Sequence, residues 1–227
     1  YVDVEGSGQG VTTITCACGG ADFDASSATV SAGDIVAEIR HLTINNTGGD
    51  TRSYGVYTED VVDGSVSMSD VTATATGAST YNASVVNYDS SPSMTNVTAT
   101  ATGGTTNYGV YNEASSPSMT DVTATATDGT YNYGVYNEAS SPSMTNVTAT
   151  GTGGTGDNYG VYNSGSSSPS VRNSSITGDD YSIYNSGSSS AQVADTMLDG
   201  TVDAGDGLTC VGAYTETFSA LGVTCAP

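Results

Sequence analysis

Two periods run through the hydrophobic and polar positions of this chain. The short one is two residues: Val122, Ala124 and Ala126 alternate with Thr123, Thr125 and Thr127, the pattern of a strand that turns one face inward. The long one is near 25. The segments TNYGVYNEASSPSMTDVTATATDGT and YNYGVYNEASSPSMTNVTATGTGGT follow each other over 106–155, each 25 residues long. The valine of the YGVY element recurs at Val56, Val85, Val110, Val135 and Val161 and closes with Ile183, at steps of 29, 25, 25, 26 and 22. The apolar residue of the SPSM element recurs at Met68, Met94, Met119, Met144, Val171 and Val193, at steps of 26, 25, 25, 27 and 22. Two independent markers keep one step, so the repeat is real and its loops vary in length.

Short strands, Gly-Gly, Asp-Gly and Ser-Ser-Pro breaks and a step near 25 residues predict one coil of a parallel β-solenoid, each strand pairing with its copies above and below. About eight coils at ~4.8 Å each give a rod about 40 Å long. The repeat is clearest over 52–199; degenerate coils extend the solenoid to 16–207, after an extended segment at 1–15 that could contact a neighbour, and 208–227 leaves the pattern as a cap. Strict alternation places Tyr108, Val110 and Asn112 on one face of their strand and Gly109 and Tyr111 on the other. Asn87, Asn112, Asn137, Asn163 and Asn185 recur at one repeat position, with Thr58 in the first copy. Facing inward they form an amide ladder; at a corner they are turn asparagines. Tyr57, Tyr111, Tyr136, Tyr162 and Tyr184 make a stack that Val86 interrupts.

Composition alone points the other way. Leu, Ile, Val and Phe together number 35, about 15% of 227 residues, and 24 acids face three arginines for a formal charge of −21, which is a disorder-like balance. The repeat overturns it, because a narrow solenoid interior needs only Val, Met, Ala and ladder residues. With Arg40, Arg52 and Arg172 as the only cations besides His41, no basic patch exists to neutralise phosphates, which argues against nucleic acid and anionic membrane surfaces as partners. No stretch approaches the ~18 apolar residues of a membrane span.

The four cysteines form two local pairs. Cys210 and Cys225 flank 14 residues in the cap and are expected to be bridged, worth roughly 3 kcal/mol in the chain-entropy model. Cys16 and Cys18 are open to a local bridge, to two thiols, or to linkage with another chain. An even cysteine count, a pair in the cap and a lysine-free acidic surface point to an exported, extracellular or cell-surface protein; the start at Tyr1 fits either a removed leader or a sequence that begins downstream of one.

The NYGVYN…SSPSMTNVTATATGG unit resembles the repeats of right-handed parallel β-helix proteins of the pectate-lyase-like superfamily, and the ending TCVGAYTETFSALGVTC resembles the C-terminal cap of secreted bacterial members. The resemblance implies a right-handed all-β helix, and it carries no single activity, because that fold hosts lyases, hydrolases, adhesins and inert fibres. A lyase of this kind pairs Ca²⁺-binding carboxylates with an Arg or Lys base; Arg172 and Arg52 have no acidic cluster in the adjacent turn. A hydrolase pairs aspartates with His and Arg-x-Lys elements; Asp179 and Asp180 stand alone, with His41 far away in sequence. No catalytic residue is therefore assigned, and no cofactor beyond possible Ca²⁺ at Asp203 and Asp206.

Other features stay open to two readings. The sequons at Asn45, Asn82, Asn96, Asn146 and Asn173 are candidate N-glycosylation sites, but Asn96 and Asn146 share a repeat position with Asp70 and Asp121, which points first to a bend needing an Asx side chain. The outward threonine rows 72/74/76, 98/100/102, 123/125/127 and 148/150/152 resemble ice-binding faces and equally suit any exposed strand. The expected function is that of a non-enzymatic extracellular structural protein, the self-associating subunit of a surface filament or layer joined end to end or by strand exchange. The alternatives are an adhesin or glycan-binding module and, further off, a polysaccharide lyase or hydrolase or an ice-binding protein.

Overall fold

The computed structural model describes residues 2–33, 35–60, 65–203 and 207–225. It is all β, with 61% of residues in strands, wound into a parallel solenoid of about seven turns. Three rows of strands form its walls. The tyrosine row holds Ala28–Gly33, Arg52–Glu59, Tyr81–Tyr88, Thr106–Glu113, Tyr131–Glu138, Asn158–Ser164 and the second half of Ser175–Asn185. The methionine and threonine rows share long strands in the early turns, Ala37–Asn46, Val66–Thr76 and Ser93–Thr102, and separate later, as in Ser118–Thr120 and Thr123–Thr127. The repeats stack in register, Val110 opposite Val85 and Val135, and Met119 opposite Met94 and Met144, up to Ser175–Asn185, whose pairing with Met197–Val202 shifts register between Thr177 and Ile183. The turn count is slightly below the eight expected, because the tyrosine row is complete in only seven windings.

Residues 2–16 are two strands, Val2–Glu5 and Thr13–Cys16, joined by a turn, and they are not an arm separate from the solenoid. Val2–Glu5 pairs with the start of Ala37–Asn46 and Thr13–Cys16 with its end, so both belong to the first winding. At the other end, Cys210–Cys225 is a disulfide. The segment it closes folds back over the last strands, with Cys210 N donating to Val223 O and Leu221 N to Ala213 O. Cys16 and Cys18 are bridged to each other, which leaves no thiol free for another chain.

The interior is narrow. Val56, Val85, Val110, Val135, Val161 and Ile183 form one buried column and Met68, Met94, Met119, Met144, Val171 and Val193 another, with the Ala pairs of the threonine row between them. Each such Val or Met contributes roughly 1.5–3 kcal/mol when fully buried. These columns cannot alone replace the large core of an ordinary domain, and polar ladders supply the rest. Asn87 Nδ2 donates to Asn112 Oδ1 at 2.8 Å, Asn112 to Asn137 at 2.9 Å, Asn137 to Asn163 at 2.9 Å and Asn163 to Asn185 at 2.8 Å, with Thr58 heading the column. All are inside the rod.

A second inner ladder runs through Asn82, Asn107, Asn132 and Asn158 at 3.3, 3.0 and 2.8 Å. Each of these oxygens also accepts a backbone N–H at the corner entering the tyrosine row, from Ala78, Gly104, Gly129 and Gly154. The Ser-Ser-Pro break makes a third ladder: Ser115, Ser140 and Ser167 hydroxyls accept from the backbone N–H of Ser90, Ser115 and Ser140. Within these columns the buried amides and hydroxyls bond to the neighbouring turn, as burial in a dry interior demands; the Nδ2 of Asn185, where the first ladder ends, has no partner.

The corner between the methionine and threonine rows is a single residue in the left-handed region, occupied by His41, Asp70, Asn96, Asp121, Asn146, Asn173 and Asp195 at φ 47 to 56°. Asn and Asp are the side chains that tolerate this conformation best. The repeat position that swaps Asn for Asp is therefore a bend, and its side chains bond along the outside: Asn146 to Asp121 at 2.9 Å and Asn173 to Asn146 at 2.6 Å, with His41 against Asp70 at 3.1 Å.

Candidate binding face

Strict alternation fails in the tyrosine row, and the failure builds its outer surface. Asn107, Gly109, Val110 and Asn112 all face inward, because the strand bulges at Gly109, which the register skips. A Cβ on Gly109 would sit 2.7 Å from Thr125 N on the opposite wall, so the bulged position admits only a minimal side chain. The same site holds Gly55, Ser84, Gly134, Gly160 and Ser182. The bulge turns Tyr108 and Tyr111, three apart, to the same outer face. Tyr108 therefore does not share a face with Val110, contrary to the expectation from alternation.

Two tyrosine columns result. One is Tyr108, Tyr133, Tyr159 and Tyr181, with stacked centroids 5.1, 5.1 and 5.4 Å apart; the other is Tyr111, Tyr136, Tyr162 and Tyr184, at 5.2, 5.1 and 5.3 Å. The columns meet edge to face in every turn, as at Tyr133–Tyr136 with 90° between planes. These arrangements favour the ring quadrupoles. Stacking along the rod turns ring edges, not faces, to solvent. Both columns are interrupted at Ala83 and Val86, which lie opposite Tyr108 and Tyr111.

The short helical turn Ala25–Ser27, capped by Asp24, carries Phe23 into that interruption. Phe23 reaches Tyr54 and Tyr111 at 5.4 Å and Tyr88 at 6.0 Å. Beside it lies a cleft of about 310 Å³ bordered by Phe23, Arg52, Tyr54, Tyr81, Ala83 and Tyr108. Arg52 lies 4.4 Å over the ring of Tyr81 and 5.4 Å from that of Phe23. Its Nε donates to Ala21 O, and it makes no ion pair among the described residues. The Tyr54 hydroxyl is buried beside the Arg52 guanidinium. Burial pushes this phenol up to about 12, with the Arg52 guanidinium offsetting part of the rise. Burial also raises Tyr57, Tyr108, Tyr111, Tyr133 and Tyr159.

A consequence is alkaline sensitivity. Phenols whose folded pKa exceeds the unfolded value of about 10 stabilise the fold fully below pH 10 and lose that contribution as pH rises through the folded value. Stability is expected to be flat up to about pH 10 and to fall steeply by the about 12 of Tyr54. The phenolate absorbance should rise together with loss of strand circular dichroism. Ionisation of most tyrosines near pH 10 in a folded rod would contradict this.

The other candidate residues are dispersed. Asp179 Oδ2 accepts from Gly153 N at 2.7 Å, and Asp180 Oδ2 from Asn158 N at 2.8 Å and Asn158 Nδ2 at 3.2 Å. This acidic pair ties the end of the second ladder to the turn below, and His41 sits on another corner. Asp203 is in the last winding, where its N–H donates to Ile183 O, and Asp206 lies outside the described residues. Among the described residues no group of three or more His, Cys, Asp or Glu is placed to hold a metal ion. Asn82 is fully buried, and its Nδ2 bonds Ala78 O, Thr102 O and Asn107 Oδ1. It is a ladder residue, unavailable for glycosylation in the folded chain. Asn45 is half-buried and accepts from Thr74. Asn96, Asn146 and Asn173 are exposed along one corner.

No protein-family model and no curated protein matches this chain. Among solved structures it is similar to QnrB1, a plasmid-mediated fluoroquinolone resistance protein, with 9% identity over 84% of this chain and 90% of that one and a TM-score of 0.22. QnrB1 is a pentapeptide-repeat protein, not a pectate-lyase-like one, and a similarity of this size carries no argument about either fold detail or function. The class defined directly by the coordinates is the parallel β-solenoid. Among the described residues no helix is long and apolar enough to cross a membrane.

Proposed function

We propose that this chain is a non-enzymatic extracellular structural protein, a right-handed member of the pectate-lyase-like β-helices that serves as the subunit of a surface filament or layer. The observation that supports it is the direction of cohesion. Amide, hydroxyl and tyrosine columns all run along the rod, and its first winding carries Val2–Glu5 and Thr13–Cys16, which pair on one side only. A strand paired on one side offers a row of free N–H and C=O groups to a further strand. The net charge of −21 holds copies apart in dilute salt and lets salt or divalent cations bring them together. Asn96, Asn146 and Asn173 are the sequons whose exposure is compatible with glycan attachment.

The test is negative-stain microscopy with light scattering on concentrated protein, in dilute buffer and with added NaCl and CaCl₂. Elongated assemblies that grow with salt or Ca²⁺ are expected. A monodisperse monomer in every condition would sink the reading.

A further inference from the structure

We propose that the aromatic cleft at Arg52 receives Phe218 of a second copy of this chain, so that the capped end of one rod seats on the flank of the next. The inference rests on the assembly reading above and names a contact for it.

The cleft lacks an occupant that its walls are built for. Everywhere from Tyr108 to Tyr184 each turn supplies one ring to each column; at Ala83 and Val86 both rings are missing, and Phe23 replaces only one of them. Around the remaining gap stand the Tyr54 and Tyr108 rings, the Glu138 carboxylate and the Arg52 guanidinium, which makes no ion pair among the described residues. A complementary occupant is an aromatic ring with a carboxylate close by.

The chain presents that pair elsewhere. Phe218 is 82% exposed, the most exposed large hydrophobic residue described, and it holds a left-handed φ of 59°, which is unusual for a bulky side chain. Its turn is fixed by Phe218 N donating to Thr215 O and Thr215 N to Ser219 O, both at 2.9 Å. The ring stacks on Tyr214 at 5.7 Å and leaves its outer face free. Glu216, two residues away, is exposed. Nothing in the fold of a single rod requires an aromatic ring to be held outward in this way.

Thr215 stacks on Leu198 in the last winding of the threonine row, and its turn borders Asp199, Gly200 and Thr201. The Phe218 ring lies over Tyr214, which borders the corner between the methionine and threonine rows with Asn173 and Asp195. Arg52 and Tyr81 open tyrosine-row strands. The knob thus sits at the last winding and the cleft near the first, on different patches of the rod. Different patches meet in such a contact, so it is heterologous: repeated, it generates an open chain of staggered rods, or a ring if the rotation closes. Arg52 meeting Glu216 adds opposite charge at a site where most of the surface would repel.

The test uses complementary full-length variants. Phe218→Ser removes the knob and a strained exposed ring, so the rod itself keeps its melting temperature. Ala83→Tyr restores the ring that later turns carry at this position and fills the cleft. Sedimentation velocity, under conditions where the natural chain assembles, should find each variant at least ten-fold weaker in self-association. Mixed together, the two should form one-to-one dimers and nothing longer, because one retains only a cleft and the other only a knob. Arg52→Glu should weaken assembly, and adding Glu216→Arg to it should restore it. Assembly of Phe218→Ser and Ala83→Tyr equal to the natural chain would overturn this contact and leave the filament reading standing. So would loss of oligosaccharide capture on a glycan array by Ala83→Tyr with assembly unchanged, which would make the cleft a glycan site. A natural chain that never assembles removes both.

Discussion

Substitution of Gly134 by valine is expected to destroy the rod. The Cβ alone would stand 2.6 Å from Gly160 O and from Thr150 N and 2.9 Å from Ala149 C, all of them backbone on the facing wall and the next turn. These are backbone atoms, which yield only by small shifts, and two methyl groups follow the Cβ. Overpacking of this kind costs roughly 3 kcal/mol or more, and the damage reaches the bulge that aims Tyr133 and Tyr136 outward. Gly134→Ser should be far milder, since Ser84 and Ser182 occupy the equivalent positions and bond to backbone carbonyls across the interior, Ser84 to Ala73 O at 2.6 Å. Thermal melts of the two variants decide it: a valine variant melting with the serine variant would show that the walls yield more readily than these distances allow.

The second large effect is at Asn112. Its amide accepts from Asn87 and donates to Asn137, so Asn112→Ala strands a donor above and an acceptor below in a site closed to water. Two orphaned groups cost roughly 3 kcal/mol, a fall of roughly 6–12 °C in Tm for a chain of this size. Asn112→Asp separates geometry from charge. Burial raises the pKa of the introduced carboxyl above its unfolded value of about 3.9. When protonated, it accepts from Asn87 and donates to Asn137 and so completes the ladder. Its stabilising contribution is therefore present below about pH 3.9 and lost as pH rises through the raised folded value. The variant should be close to the natural chain in acid and the weaker of the two at neutral pH. A penalty independent of pH would mean that the column does not work as a chain of donors and acceptors.

The fold was legible because its signal is a repeat. Val110 and Val135, or Met119 and Met144, keep a step of 25, and a step of that size with period-two runs admits little besides a solenoid. What period two alone could not give is the bulge. Gly109 interrupts the alternation without leaving a mark in hydrophobicity, so Tyr108 reads as an inner residue and the column it heads goes unseen, although its step from Tyr108 to Tyr133 is just as regular. Asn82 was obscured differently. The sequon there invites a surface reading, while the recurrence of Asn82, Asn107, Asn132 and Asn158 at steps of 25, 25 and 26 carried the better signal of an inner ladder. The cleft was out of reach of sequence reasoning. It arises where Phe23, from a segment outside the repeat, meets a gap in a column that only the three-dimensional stack defines.

The register has an implication for how such a chain can change. Thr106–Glu113 and Tyr131–Glu138 lie directly over each other, position for position, and the same donors and acceptors stand at the floor and ceiling of each storey. Loss or duplication of one unit of 25 residues rejoins all the columns without a mismatched seam. Stature can therefore drift in whole storeys by slippage of the gene, while the foot and the roof stay as they are.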